Sequence, residues 1–309
     1  MAAANSTEFL KDFMFGGVSA AVAKTATAPI ERVKLIIQNQ ASMKNVTPGK
    51  EYKGIADCFV RVSREEGVAA LWRGNLANII RYFPTQALNF AFKERYKALT
   101  SALLGKPNPK TEFTKWFISN LLSGGLAGTT SLMFVYPLDF ARTRLGTDMG
   151  KSKAERQFNG MFDCISKIAK SDGIGGLYRG FVISALGIFF YRAAYFGLYD
   201  SSKNFTGNNP NILIKFIVAQ IVVSLSGLIS YPLDTVRRRL MMQSGKKGGE
   251  VQYTGTFDAF AKILAKEGPG GFFKGALSNI FRGVGASLVL VLYDELRRFF
   301  DPNAKASSE

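Results

Sequence analysis

Pro29-Ile30-Glu31-Arg32-Val33-Lys34 returns as Pro137-Leu138-Asp139-Phe140-Ala141-Arg142 and again as Pro232-Leu233-Asp234-Thr235-Val236-Arg237, so proline, acid and base occur three times at one spacing. The prolines stand 108 and 95 residues apart, and other marks keep step with them. Aromatic-x-Gly follows at Tyr52-Lys53-Gly54, Phe158-Asn159-Gly160 and Tyr253-Thr254-Gly255. An acid-Gly pair comes next, at Glu66-Gly67, Asp172-Gly173 and Glu267-Gly268. Aromatic-base-Gly closes the series, at Trp72-Arg73-Gly74, Tyr178-Arg179-Gly180 and Phe273-Lys274-Gly275. Four marks in one order make a repeat, and a repeat sets the architecture before any other signal. The 309 residues therefore divide into three units, 9–105, 112–206 and 211–300, within a single domain spanning 1–309.

Each unit carries two apolar segments. Trp116 to Leu138 is 23 residues without a charge, enough to cross ~30 Å of hydrocarbon as a helix. Phe216 to Leu233 gives 18 more, and Phe13 to Pro29 is apolar except for Lys24. The second segment of each unit is broken by one arginine: Leu76–Phe92 by Arg81, Phe181–Tyr199 by Arg192 and Ala276–Tyr293 by Arg282. Between the two lie amphipathic stretches at 55–66, 161–171 and 256–267, suited to lying in a membrane interface. Glycine runs such as Gly124-Gly125-x-x-Gly128 allow close helix packing in lipid. The fold predicted is an all-α membrane protein. Six transmembrane helices form a three-fold pseudosymmetric bundle, and each unit adds one interfacial helix.

Composition narrows the chemistry. With no histidine, His-based triads and His-ligated metals are excluded. Two cysteines, Cys58 and Cys164, make no disulfide scaffold. They occupy one position of the repeat, four residues after Gly54 and Gly160, which makes them packing residues. Residues 1–15 carry Glu8 and Asp12 against Lys11, unlike an Arg-rich presequence. A net charge of +17 calls for an anionic partner.

Ionisable residues inside spanning helices are costly and mark a site or pathway. Lys24, Arg81, Arg192 and Arg282 qualify. Arg81 and Arg282 each sit seven residues after a repeat glycine, and Gly187 holds that place in the middle unit. Two cations facing open space make an asymmetric anion site. Arg192 is either an internal ion-pair partner or a ligand contact.

Lys24, Glu31 and Gln38 are seven apart and share a helix face. Where three proline-kinked helices meet, three acids and three bases converge into a ring of ion pairs. The other end repeats the idea with Tyr199-Asp200-Ser-Ser-Lys203, Tyr293-Asp294-Glu-Leu-Arg297 and Lys93-Glu94-Arg-Tyr-Lys97. Two charged gates around a cationic midplane are the parts of an alternating-access transporter, which needs no covalent chemistry and is no enzyme. Gly54, Gly160, Gly255, Gly74, Gly180 and Gly275 stand before helix starts. They either leave backbone N–H groups for an anionic lipid or simply permit tight turns.

These motifs resemble the mitochondrial carrier family over roughly residues 9–300. Within it, Arg237-Arg238-Arg239-Leu240-Met241-Met242 is similar to the signature of the branch that exchanges adenine nucleotides, with Leu240 where that branch carries methionine. The stretch Arg73 to Phe92 and Tyr191-Arg-Ala-Ala-Tyr195-Phe-Gly also resemble it. The resemblance implies exchange of ADP for ATP across the mitochondrial inner membrane, with both termini facing the intermembrane space.

The same resemblance assigns roles. It implies phosphate contacts at Lys24, Arg81 and Arg282 and an adenine side at Gly187, Ile188 and Tyr191, with Asn89 and Asn120 as further contacts. It implies a matrix gate pairing Glu31 with Arg237, Asp139 with Lys34 and Asp234 with Arg142, braced once by Gln38. A cytoplasmic gate would pair Glu94 with Arg297, Asp200 with Lys97 and Asp294 with Lys203, braced by Tyr199 and Tyr293. Cardiolipin is the lipid implied for the six glycines. The expected state is a monomer that needs no cofactor, metal or nucleic acid. Three rivals remain: a carrier of phosphate or a dicarboxylate, a proton-leak protein, and a soluble basic nucleic-acid binder.

Overall fold

The structure, a computed structural model, describes residues 2–43, 51–108, 111–150, 155–206, 212–246 and 251–285, with backbone alone at 2–16, 203–206, 212 and 215. Its helices are α1 (Ala2–Asn39), α2 (Ile55–Glu66), α3 (Asn75–Leu104), α4 (Phe113–Thr147), α5 (Met161–Leu177), α6 (Phe181–Thr206), α7 (Ile212–Met241), α8 (Thr256–Glu267) and α9 (described over 276–285). Long, short, long recurs in units 1 and 2, and unit 3 repeats it as far as α9 is described, with no strand among the described residues. The interfacial helices α2, α5 and α8 begin where the hydrophobic periodicity places them. α5 runs on past a break at Gly173, whose φ is 70°.

Three described helices combine the length and apolar character of a membrane span: Phe113–Thr147, Phe181–Ser202 and Phe216–Met241. α1 and α3 match them in length, at 38 and 30 residues, but carry more charge along the way. At 1.5 Å per residue, 30 residues extend about 45 Å, longer than a hydrocarbon core. Small residues let the helices approach within each unit. A Cβ on Gly17 of α1 would come within 2.3 Å of Phe83 of α3, and one on Gly125 of α4 within 2.2 Å of Phe189 of α6.

Each interfacial helix buries one face on the first long helix of its own unit, α1, α4 or α7. Cys58 and Val62 pack with Val33 and Ile36 in unit 1, Cys164 and Ile168 with Phe140 and Ala141 in unit 2, and Ala259 and Ile263 with Val236 and Leu240 in unit 3. A fully buried Val or Ile contributes roughly 1.5–3 kcal/mol. Cys58 and Cys164 are fully buried, and burial pushes both thiols up to about 12. Their place in unit 3 is taken by Ala259, so this position is one of packing.

The approach to each interfacial helix is tied down in the same way three times. Asp57, Asp163 and Asp258 accept the backbone N–H groups of Lys53, Asn159 and Thr254 at 3.0, 2.9 and 2.9 Å. Each also pairs with the base four residues on, Arg61, Lys167 or Lys262. The N-termini of α2, α5 and α8 are thereby held with Gly54, Gly160 and Gly255 just outside them.

Candidate functional site

The prolines lie inside α1, α4 and α7, and two residues beyond each one the ring acid points inward. The three acids and three bases form a closed ring, but in the opposite rotation to the expected pairing. Glu31 pairs with Arg142, Asp139 with Arg237, and Asp234 with Lys34 at 3.2 Å. Acid and base are three residues apart, about 300° around the helix, so they face different neighbours. Which neighbour receives which charge depends on the order of the units around the bundle, and a three-fold motif reads the same for both orders. Gln38 braces the Lys34 pair, its Nε2 donating to Asp234 at 3.3 Å and to Thr235 Oγ1 at 2.9 Å.

Two asparagines from the second long helices of units 1 and 3 complete the ring. Asn78 Nδ2 donates to Glu31 at 3.0 Å, and Lys34 Nζ donates to Asn279 Oδ1 at 3.0 Å. Both sit four residues after a repeat glycine. That shared position was the signal by which the sequence could have revealed them.

Above the ring lies a cavity of about 640 Å³ with Lys34, Asp234 and Arg237 in its floor. Its walls bring together Arg81, Asn89, Gly187, Ile188, Tyr191 and Arg282, six of the seven expected substrate contacts. A Cβ on Gly187 would meet only Leu233, at 3.8 Å, so that wall is open as expected. Asn89 Oδ1 is buried and has no hydrogen-bond partner among the described residues. The seventh residue, Lys24, is not in the lining: its ammonium lies 5.1 Å from the centre of the Tyr82 ring on α3. Asn120 is occupied within its own helix, donating to Trp116 O at 2.8 Å.

Arg192 forms no ion pair among the described residues. It lines the cavity, with its Nη1 2.7 Å from where a Cβ on Gly124 would stand. Tyr195, which the sequence reading did not single out as a contact, continues a stack from Tyr191 to Tyr199 with ring centres 6.3 and 6.0 Å apart. The spacing of four residues along α6 puts all three rings on one face.

At the far end Glu94 and Lys97 are exposed and make no ion pair among the described residues. Tyr199 and Asp200 are in place on α6. Tyr293, Asp294, Arg297 and the side chain of Lys203 lie outside the described residues.

The six glycines split into two kinds. Gly74, Gly180 and Gly275 adopt φ of 86°, 82° and 82° and back onto the next unit, against Arg142 O, Arg237 O and Lys34 O. Left-handed backbone and contact with a neighbouring main chain demand glycine there. Gly54, Gly160 and Gly255 are extended, with nothing within 4 Å of a would-be Cβ. A second cavity of about 390 Å³ joins Tyr52, Lys53 and Gly54 of unit 1 to Lys274 and Gly275 of unit 3. The pocket thus combines one glycine of each kind, from different units.

A further ring escaped the sequence reading. Arg32 donates to Gly146 O and Asp148 O at the end of α4, at 3.3 and 3.4 Å. Arg144 donates to Met241 O, Met242 O and Ser244 O at the end of α7, at 3.4, 3.2 and 3.1 Å. Arg239 donates to Gln38 O at the end of α1, at 3.4 Å. Each arginine is buried and satisfies helix-end carbonyls that have no partner within their own helix.

Two of these arginines also hold a repeat acid, Arg32 on Glu66 at 2.9 Å and Arg239 on Glu267. Glu66, Asp172 and Glu267 pair as well with Arg73, Arg179 and Lys274 at 2.6, 3.3 and 2.6 Å. Burial raises the Glu267 carboxyl, but hydrogen bonds from Arg239 and Lys274 outweigh it and hold the group below its ordinary value.

Comparison with known proteins agrees with the three-unit reading. The profile of the family described as Mitochondrial carrier protein matches three times, at residues 5–102, 113–210 and 208–304. The chain is 58% identical over 296 residues to ADP/ATP translocase 2 of Bos taurus, covering 95% of this chain and 98% of that protein. It is 58% identical over 292 residues to ADP/ATP translocase 3 of Homo sapiens, covering 94% and 97%. It is 57% identical over 306 residues to ADP/ATP translocase 4 of Bos taurus, covering 98% and 93%. Three repeats, a ring of ion pairs beneath a cationic cavity and matches over nearly the whole length have one meaning: the chain belongs to the mitochondrial carrier family.

Proposed function

We propose that this protein exchanges ADP for ATP across the mitochondrial inner membrane by alternating access, as an antiporter working as a monomer. The observation that carries the proposal is the cavity of about 640 Å³, in which Arg81 and Arg282 face the open wall at Gly187, Ile188 and Tyr191. Two guanidinium groups grip phosphates as charge-assisted donors. The glycine gap admits a purine, and Tyr191 offers its ring for stacking. Identity near 58% to ADP/ATP translocases over almost the full length supports the same substrates.

The ring below acts as the matrix gate, closed here, and the exposed Glu94 and Lys97 belong to an open cytoplasmic side. Lys24 leaves Tyr82 to meet a bound phosphate. Bound nucleotide offsets the loss of ring contacts, and only differential affinity between the two states can do so. An empty carrier lacks that offset, so transport is exchange. ATP carries one more negative charge than ADP, and the potential adds ~2.3 kcal/mol per charge per 100 mV in favour of ATP export.

The pocket between unit 1 and unit 3 takes a cardiolipin head group. Its phosphates meet the N-terminal N–H groups of α2 and α9, with Lys53 and Lys274 beside them. The test of function is uptake of labelled ADP by ADP-loaded liposomes against a panel of anions. Uptake with ADP and ATP alone is expected; uptake of phosphate with no nucleotide exchange refutes the proposal.

A further inference from the structure

A proline inside a helix leaves the carbonyl four residues earlier without its donor, and in a membrane such an orphan is costly. In unit 1 that carbonyl belongs to Thr25, and Trp72 Nε1 donates to it at 2.8 Å. In unit 2 it belongs to Met133, and Tyr178 Oη donates to it at 2.8 Å. Trp72 and Tyr178 are the same repeat position, the aromatic of aromatic-base-Gly. In unit 3 that position is Phe273, which has no donor to offer toward Leu228 O.

A return bond runs from the residue just before the proline. Tyr136 Oη donates to Arg179 O at 2.9 Å and Tyr231 Oη to Lys274 O at 3.0 Å, while unit 1 has Ala28 there. The paired rings stack, Tyr136 on Tyr178 at 5.6 Å and Tyr231 on Phe273 at 6.4 Å. At the orphaned carbonyl and the residue before the proline, unit 2 thus makes two ties between its kinked helix and the start of its second long helix, and units 1 and 3 make one each. In unit 1 Asn75 Nδ2 adds a bond to Thr25 Oγ1 at 3.1 Å, which leaves unit 3 the least tied.

We propose that Trp72, Tyr136, Tyr178 and Tyr231 are positioning residues of the ring. They fix the proline kinks two residues ahead of the ring acids, and their uneven distribution makes the seam between units 3 and 1 the place where the ring opens first. The seam itself agrees. It is closed by Asp234 and Lys34, the ring's lysine, a point charge without the two-pronged geometry of arginine. Unit 2, doubly tied, is the sector that stays fixed. The proposal rests on the assignment of the ring as a gate.

The experiment measures unfolding temperature, turnover and KM of the full chain in ADP-loaded liposomes. Phe273→Tyr places a phenol where unit 2 has Tyr178 and supplies the missing donor. Its unfolding temperature rises, and turnover falls about fivefold, the worth of one hydrogen bond, with KM unchanged. Trp72→Phe loses its donor and lowers the unfolding temperature without slowing turnover, while Trp72→Tyr keeps a donor and the parental unfolding temperature. Parental turnover or unfolding temperature in Phe273→Tyr overturns the proposal, as does Trp72→Tyr that is as destabilised as Trp72→Phe. Glu31→Gln separates the two levels, since it removes a ring charge and touches none of these donors. Parental exchange there overturns the gate itself; lost exchange there beside an unchanged Phe273→Tyr overturns the ties alone.

Discussion

Arg282 Nη1 lies 3.6 Å from a carboxylate oxygen of Glu31. One guanidinium therefore faces the cavity and the ring beneath it at once. Arg81 repeats the arrangement with Asp139, also at 3.6 Å. A phosphate that attracts either arginine draws on charge that also steadies a ring acid. Under the proposed function, binding and gating are in this way coupled through single side chains. Arg282→Ala is expected to cut nucleotide exchange by about 100-fold, the loss of one to two charge-assisted contacts. Its helical circular dichroism should stay that of the parent. Exchange within a few-fold of the parent contradicts the role.

The rotation of the ring can be checked by charge swaps. Glu31→Arg with Arg142→Glu preserves a pair that touches in the structure, and should recover exchange relative to either single change. Glu31→Arg with Arg237→Glu leaves two mismatched contacts and should not. Recovery by the second pair alone reverses the order of the units.

Gln38 is fully buried and joins Asp234 to Thr235. Gln38→Ala removes about 1 kcal/mol of hydrogen bonding from the closed ring of ion pairs. A lower unfolding temperature of the nucleotide-free protein is expected, with retained nucleotide specificity in liposome uptake. An unfolding temperature equal to the parent's shows that no brace exists.

Cys58 and Cys164, pushed up to about 12 by burial, are neutral thiols at pH 7 to 9. Maleimide should leave both unmodified in the native carrier over that range and label both after denaturation. Because the folded state holds these protons more tightly than the unfolded chain does, their contribution to stability fades as pH rises above ~8.5. Rapid native labelling at pH 7 indicates that α2 or α5 stands off its unit.

The repeat placed most of this molecule in advance. Proline, acid and base at fixed spacing located the six ring residues, and Arg81, Arg282 and Gly187 were found by counting from one glycine. What the repeat could not convey is hand. Both cyclic pairings satisfy the same motif, and only the packed bundle selects Glu31 with Arg142. The charge of Lys24 was legible but its rest position over Tyr82 was not, because a flexible lysine takes its orientation from neighbours. Arg32, Arg144 and Arg239 stayed hidden for a related reason. Arg32 does not share a repeat position with the other two, yet all three meet helix ends.

Those three arginines point one way around the bundle, from unit 1 to the end of α4, from unit 2 to the end of α7 and from unit 3 to the end of α1. A directed cycle has no first member. Rearranging the gene so that the units run 2, 3, 1 would keep every donor facing its own acceptor, provided the new linker spans the old ends. Running them 1, 3, 2 round the bundle would turn every donor toward the wrong helix end. Two units alone would strand one arginine and one set of carbonyls, so the smallest object this architecture can close is a trio.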